Sequence, residues 1–220
     1  MSRSLSAAMT LPVLPSPGWK YAAGIVVAVC AAALYLLPNR MAGTDAVMLP
    51  LTAADRLVPF WPWTGWIYAS VYAFLAIAFV GMRDLAVASR FLYACLFTQL
   101  VAAAVFVAFP TVYPRELFPL PYGASPGDVA LVGFWRGLDA PANCFPSLHV
   151  STCVLSLAAY GNGPLRRFRY VAAAAAVLLI ASTLTFKQHY VVDLVGGGAL
   201  GVASYWFFFR WSRIRLAAAG

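Results

Sequence analysis

Two histidines carry the most reactive side-chain chemistry in this sequence. They are His149 and His189, and the chain has no others. Asp193 follows His189 by four residues, so on a helix the two side chains share one face. A carboxylate placed there can accept the proton of one imidazole nitrogen, which leaves the other nitrogen free to attack or to take a proton. We therefore predict a functional pair rather than a purely structural contact at a helix end.

Groups suited to an anion lie near both histidines. The run 143–149 opens a predicted helix, whose free backbone N–H groups form an anion site together with the positive end of the helix dipole. Ser147 and His149 belong to that first turn, although ordinary helix capping is an alternative for Ser147. Arg115 and Lys187 supply cations that suit phosphate oxygens. The alternative for Lys187 is a cation that reaches from the membrane to its surface.

Composition indicates that these residues belong to a membrane protein. The chain has 220 residues, of which 63% are hydrophobic and only 10% are charged. A soluble domain is typically about a quarter charged. This composition argues against a soluble enzyme, a disordered chain and a nucleic-acid binder. The net charge of +8 is then expected to report membrane topology rather than nucleic-acid binding.

Six apolar segments predict an all-α, polytopic membrane protein with six transmembrane helices in one bundle. A spanning helix needs about 20 mostly apolar residues, and the fourth segment is shorter, so it depends on its neighbours for burial. Residues 1–18 are predicted to form an N-terminal tail, and residues 19–220 the membrane catalytic domain. The predicted helices cover 19–38, 63–81, 91–109, 147–161, 170–186 and 190–209.

The distribution of charge predicts that both termini face the cytoplasm. Ten of the 15 Lys and Arg residues fall on the side of the termini, with only one of the seven acidic residues, Asp84. Cytoplasmic loops are the ones enriched in Lys and Arg. The cytoplasmic group is Arg3, Lys20, Arg83, Arg90, Arg166, Arg167, Arg169, Arg210, Arg213 and Arg215. The opposite side carries Arg40, Arg56, Arg115, Arg136 and Lys187, with acidic residues that include Asp45 and Asp139.

The non-cytoplasmic side holds the two long connections, 39–62 and 110–146. A loop as long as the second is usually functional in a compact bundle, which favours a functional role for Arg115. In the sixth predicted helix, Gly197 and Gly201 form a pair of small residues four apart, which predicts close helix packing rather than a phosphate loop.

The chemistry-bearing residues, in this order, resemble the type 2 phosphatidic acid phosphatase superfamily. Its second motif, P-S-G-H, is similar to residues 146–149, with Leu148 in place of Gly. Its third, S-R-x-x-x-x-x-H-x-x-x-D, is similar to residues 182–193, with Thr183 in place of Arg. Its first, K-x-x-x-x-x-x-R-P, places Arg115 on the Arg, with Glu116 in place of Pro and Ala108 in place of Lys. The F-P-S-L-H and H-Y-x-x-D forms resemble the branch that contains inositol phosphorylceramide synthases.

The resemblance implies a phospho-histidine mechanism without a metal or cofactor. His189 would attack the phosphorus of a lipid phosphate, Asp193 would orient its imidazole, and His149 would protonate the leaving oxygen. The phosphoryl oxygens would be held by Arg115, Lys187, Ser147 and Ser182. Water as acceptor would make the enzyme a phosphatase, and an alcohol would make it a transferase.

Alternatives remain open at this point. His149, His189 and Asp193 would also suit a metal-dependent membrane hydrolase. A small lipid transporter with a proton-linked His–Asp pair is a second alternative, and a purely structural bundle is a third. The expected partners are a phosphorylated lipid and the bilayer, not nucleic acid. The compact chain suits the cytoplasmic (inner) membrane of a bacterium, with the site facing the periplasm. The lipid and the oligomeric state are left open.

Overall fold

A computed structural model describes residues 9–42, 46–161, 163–211 and 214–217. Within these ranges the chain is mostly helical, as predicted. The α-helices are α1 Pro17–Met41, α2 Ala53–Leu57, α3 Gly65–Ala69, α4 Val71–Gly81, α5 Leu85–Ala108, α6 Pro126–Leu138, α7 Leu148–Tyr160, α8 Arg169–Thr185 and α9 Val191–Tyr205. Shorter helical turns cover Pro62–Thr64, Arg115–Leu117, Gly163–Phe168 and Trp206–Arg210.

In the described ranges, four short strands form two parallel pairs that the all-α prediction did not include. Strand β1 (Met9–Pro12) pairs with β4 (Ile214–Ala217), and β2 (Val47–Met48) pairs with β3 (Thr111–Val112). The first pair joins the two terminal segments, so both lie at one end of the bundle. The second pair ties the segment after α1 to the segment after α5 at the other end.

Five helical segments of the described chain are long and apolar enough to cross a membrane. They are Pro17–Met41, Pro62–Gly81, Leu85–Ala108, Gly163–Thr185 and Val191–Arg210. The predicted fourth span is instead the 13-residue helix α7. At a rise of about 1.5 Å per residue it is about 20 Å long, short of a hydrocarbon core of about 30 Å. Because α4, α5, α8 and α9 surround α7, most of its side chains are buried in protein, as its length required.

The two histidines and Arg115 lie together at the end of the bundle opposite the termini. Near the termini, the N–H of Leu14 donates to Ser89 Oγ at 3.0 Å, and the Tyr93 hydroxyl donates to the carbonyl of Pro12 at 2.8 Å. From this end α1 and α5 run to the far end of the bundle, and α9 runs back. Of the residues used to predict topology, Arg3, Asp45 and Arg213 lie outside the described residues.

The connection predicted over 110–146 contains a helix that was not predicted from the sequence. Helix α6 (Pro126–Leu138) begins with a side-chain cap, since Ser125 Oγ accepts the N–H of Asp128 at 3.1 Å. A proline in the first helical position and an acidic residue in the first turn are ordinary signals of a helix start. This helix places Trp135 and Asp139 on a cavity that His149 also lines, and Asp139 on a pocket that both histidines line.

Glycines of α9 allow its close contact with α7, which confirms the packing predicted for them. A Cβ atom added at Gly197 would lie 2.3 Å from the carbonyl oxygen of Ser147, and one at Gly201 would lie 2.9 Å from Val154 Cβ. Ser151 Oγ donates to the Gly197 carbonyl at 3.0 Å, and the N–H of Ser147 donates to the Asp193 carbonyl at 3.1 Å. These contacts fix the first turn of α7 against the first turn of α9.

Gly197→Ala is expected to lower stability while its neighbour tolerates the same change. The added methyl would meet backbone rather than a movable side chain, and overpacking of this kind costs about 1–3 kcal/mol. At Gly198 the nearest atom to an added Cβ is 4.0 Å away, so Gly198→Ala is the matched control. Thermal unfolding of both variants in detergent checks the prediction. Equal midpoints for the two variants would contradict it.

Candidate active site

His189 and Asp193 form the contact that their spacing predicts. The Nδ1 atom of His189 lies 3.1 Å from Asp193 Oδ2 and 3.1 Å from the carbonyl oxygen of Cys144. A carbonyl oxygen only accepts hydrogen bonds, and a carboxylate does so when ionised, so Nδ1 is the nitrogen that carries the proton. Nε2 of the neutral imidazole therefore holds the free electron pair.

The backbone geometry that brings His189 and Asp193 together differs from the shared helix face that their spacing suggested. His189 is not on a helix; it lies two residues before α9, and Asp193 lies in the first turn of that helix. Asp193 Oδ2 also accepts the backbone N–H of Tyr190 at 2.8 Å. The carboxylate thus caps the start of α9 and holds the imidazole with the same oxygen. Asp193 is fully buried, so water does not compete for these bonds.

His149 faces His189 from the first turn of α7. Its ring stacks on the ring of Tyr68, with centroids 4.0 Å apart and an interplanar angle of 21°. The centroids of the two imidazoles are 6.1 Å apart. His149 Nε2 is buried and has no hydrogen-bond partner among the described residues. The two rings are close enough to contact the same small group.

Arg115 lies beside the histidines, and its guanidinium is paired with the carboxylate of Asp139. Its Nη1 donates to the carbonyl of Asp139 at 2.7 Å, and its Nη2 donates to Gln188 Oε1 and lies 3.7 Å from Asp139 Oδ2. The hydroxyl of Tyr35 lies 2.9 and 2.8 Å from the two carboxylate oxygens of Asp139. Burial raises the pKa of Asp139, while the Tyr35 hydrogen bond and the Arg115 charge act in the opposite direction.

A small pocket, here called the histidine pocket, brings these groups together. Its free volume is about 20 Å³, room for about one water molecule. Three of its residues carry buried polar atoms without a partner in the described chain: Arg115 Nε, Asn143 Oδ1 and His149 Nε2. Buried polar atoms normally have partners, so three unpartnered atoms at one pocket make it the candidate site for a polar group. The lining residues are Tyr35, Tyr68, Arg115, Asp139, Ala142, Asn143, Leu148, His149, Gln188 and His189.

Lys187 is not among the residues that line the histidine pocket, and its predicted phosphate contact stays a prediction. Its ammonium donates to the carbonyl of Asp55 at 3.1 Å and to that of Val58, and it lies 4.3 Å from the centroid of the Phe118 ring. Burial lowers the pKa of Lys187, and the charge of Asp55 partly offsets this effect. Asp55 Oδ1 in turn accepts the N–H of Val191 at 2.7 Å. Lys187 therefore anchors the segment that carries His189.

The two predicted serine contacts are also directed elsewhere. Ser147 is fully buried as the cap of α7, where its Oγ accepts the N–H of Val150 at 3.5 Å. The hydroxyl of Ser182 donates to the Leu179 carbonyl at 2.6 Å within α8. Neither serine lines the histidine pocket. Of the predicted phosphate-binding residues, Arg115 alone does so.

A larger apolar cavity adjoins the histidine pocket. Its volume is about 410 Å³, within the usual range of about 300–1,000 Å³ for ligand sites. Most of its lining is apolar and comes from α1, α4 and α7, including Ala28, Ala32 and Leu75. Tyr35, Tyr68, Asp139, Leu148 and His149 line both spaces. A molecule with a polar head at the histidines thus has an apolar space beside it.

The fold and site together define a helical protein with five segments that could cross a membrane and a buried pocket between two histidines at one end of its helices. A comparison with protein-family models finds the PAP2 superfamily over residues 48–207. The chain therefore belongs to the PAP2 superfamily, which confirms the resemblance inferred from its motifs. Members of this superfamily are phosphatases, so membership supports an enzyme with phosphatase-type activity on lipid phosphates. A comparison with curated proteins finds no match.

Proposed function

We propose that the chain is an integral membrane lipid phosphatase or phosphotransferase that works through a phospho-histidine intermediate. The observation that carries this proposal is the arrangement of His189. Its Nδ1 is held by Asp193 and the Cys144 carbonyl, which leaves Nε2 as a nucleophile beside an anion-binding guanidinium. The adjoining apolar cavity supports a lipid as the substrate.

In the first step, Nε2 of His189 attacks phosphorus. A P–N bond forms, the P–O bond to the leaving alcohol breaks, and its electron pair stays on that oxygen. The imidazolium of His149 gives this oxygen its proton, and an anionic phosphoryl group nearby favours that charged form. Asp193 stabilises the positive charge that develops on His189, and Arg115 stabilises charge on the phosphoryl oxygens.

In the second step, the acceptor oxygen attacks the phospho-histidine. His149 now takes the acceptor's proton and is again an imidazolium, the P–N bond breaks, and its electron pair returns to Nε2 of His189. Water as acceptor gives a phosphatase, and an alcohol gives a transferase. Each cycle leaves both histidines as they began.

The contacts favour this route over the metal-dependent alternative. Asp193 Oδ2 is hydrogen-bonded to the imidazole of His189, whereas in the metal-dependent alternative both side chains would bind the same metal ion. In the described part of the chain, no group of three His, Cys, Asp or Glu side chains could hold a metal ion. A guanidinium in the pocket suits an anion, not a cation.

In the membrane, the termini face the cytoplasm and the histidine pocket faces the other side, which in a bacterium is the periplasm. Paired terminal strands support a shared side for the termini. The excess of Lys and Arg at their end supports the cytoplasm as that side. Helix α7 completes six membrane segments as a short helix enclosed by its neighbours.

Mass spectrometry of lipid products tests the proposed function. Purified protein receives a panel of phospholipids, polyprenyl phosphates and alcohol acceptors, both with and without a chelator, and His189→Ala is the control. A dephosphorylated lipid formed only by the wild type would identify a phosphatase, and an exchanged headgroup would identify a transferase. No product across the panel, or equal product from the variant, would overturn the proposal. Loss of product on chelation would restore the metal-dependent alternative.

A further inference from the structure

The histidine pocket contains a carboxylate that belongs to the chain itself. Asp139 lines the pocket together with Arg115, and its Oδ2 lies 3.7 Å from the Arg115 Nη2 atom. No other carboxylate or guanidinium is among the described residues that line this pocket. The nearby carboxylate of Asp193 lies behind His189 and is fully buried. The charge of Arg115 is therefore already balanced before any substrate enters.

Asp139 is held in this position rather than free to turn away. The hydroxyl of Tyr35, on α1, lies within 2.9 Å of both carboxylate oxygens. The Asp139 backbone is also fixed, because its N–H donates to the Trp135 carbonyl and its own carbonyl accepts from Arg115. The Asp139 side chain is only 15% exposed, so little water screens its charge.

A bound phosphoryl group must come close to this carboxylate. The free volume between the residues amounts to about one water molecule, so oxygens that contact Arg115 lie next to Asp139. A phosphate monoester carries a charge of about −1.5 to −2 at pH 7, whereas a diester carries a single negative charge. Coulomb energy grows in proportion to the charge, so the repulsion from Asp139 cancels the extra attraction that a dianion would gain from Arg115. The larger cost of removing a dianion from water is then left uncompensated, which favours the monoanion.

We infer that Asp139 is a specificity residue that selects monoanionic phosphodiesters over dianionic phosphomonoesters as phosphoryl donors. This inference rests on the proposed function and names the substrate class of the same site. It favours a donor that keeps a headgroup on its phosphate, so that attack by His189 releases one alcohol and leaves an esterified phosphoryl group on Nε2. That group then passes to the acceptor, with the P–N bond broken as a new P–O bond forms.

Two lipids with identical acyl chains isolate the effect of the phosphate charge on turnover. Phosphatidate is a monoester, and phosphatidylmethanol differs from it by a methyl cap that removes one ionisable oxygen. At pH 8, about two units above the second pKa of a monoester, phosphatidate is mostly a dianion. We expect wild-type kcat/KM to be at least about tenfold higher for phosphatidylmethanol. A wild type that prefers phosphatidate would overturn the inference while leaving the proposed function intact.

The Asp139→Asn variant tests whether this residue is responsible. Asparagine keeps the shape and can still accept the Tyr35 hydrogen bond, but it removes the charge. The preference for phosphatidylmethanol should then shrink by at least about tenfold, through a gain with phosphatidate. Asp139→Glu retains the charge and is the matched control, in which the preference should persist. An unchanged ratio in Asp139→Asn would overturn the assignment.

A measurement on the wild type alone covers the case in which these variants fail to fold. Dimethyl phosphate is a monoanion and methyl phosphate is mostly a dianion at pH 8. The first should be the stronger competitive inhibitor, by at least about tenfold in inhibition constant. Equal or reversed inhibition would overturn the inference. If neither lipid is turned over and the wider lipid panel also gives no product, the proposed function itself fails, and the inference fails with it.

Discussion

Replacing His189 with glutamine is expected to reduce turnover by a factor on the order of 10⁴ or more, as expected for an enzyme that loses its nucleophile. The glutamine amide can still donate to Asp193 and to the Cys144 carbonyl, so the local structure keeps donors for both acceptors. It has no nitrogen with a free electron pair, so no phosphoryl intermediate can form. Initial rates of product formation, measured by mass spectrometry, check the expectation.

The residue that carries the covalent adduct distinguishes the role of His189 from that of His149. Wild-type protein quenched during turnover should carry a phosphoryl group on His189, and peptide mass spectrometry should find none on His149. The His189→Gln variant should carry none at either position while unfolding at a temperature close to that of the wild type. An adduct on His149, or a variant that retains more than a tenth of the wild-type rate, would contradict the assigned roles.

The contact between His189 and Asp193 could be predicted from the sequence because it is local. A spacing of four residues brings two side chains together on a helix. It also does so at a helix start, where an acidic residue at the third position reaches back to the capping residue. The predicted contact is therefore present although His189 lies before α9. Both local geometries favour the same pair, so the contact forms whether or not His189 lies on the helix.

The contacts of the Lys187 side chain could not be predicted from local spacing. Its residue type suits phosphate, and it lies two positions before His189, but its backbone φ is +55°. That left-handed conformation is uncommon for a residue with a side chain. In this structure the ammonium lies against the carbonyls of Asp55 and Val58, more than 120 positions earlier in the chain. A contact at such sequence separation depends on tertiary packing, which residue spacing does not report.

The same reason explains why Tyr35, Tyr68 and Asp139 were missed as site residues. They come from α1, α3 and the end of α6, and none lies in a motif. Helix α1 lies against the segment after α6, where the Tyr35 hydroxyl reaches Asp139 and the Asn143 amide donates to the Tyr35 carbonyl. Only the position of Asp139 had a local signal, because the start of α6 shows a serine cap followed by proline. Recognising that helix would have placed Asp139 at its end.

Replacing His149 with glutamine is expected to slow both steps, with an effect that depends on the leaving group. General acid and base catalysis typically contributes about 10²–10⁴-fold, and with a lipid alcohol as leaving group we expect a loss of that size. A p-nitrophenyl leaving group needs little protonation, so methyl p-nitrophenyl phosphate should restore the first step to within about tenfold of the wild type. The second step still lacks the base that activates the acceptor.

The intermediate should therefore accumulate in the His149→Gln variant when this activated donor is used. Rapid-mixing absorbance should show a burst of p-nitrophenolate close to one equivalent of enzyme, followed by slow turnover, and quenched protein should carry the methylphosphoryl group on His189. In the His189→Gln variant, which serves as the matched control, neither burst nor adduct should form. A loss that is equal for both leaving groups, without a burst, would show that His149 does not act as the acid. Its stacking on Tyr68 would then be a structural contact, and the proton would have to come from elsewhere in the pocket.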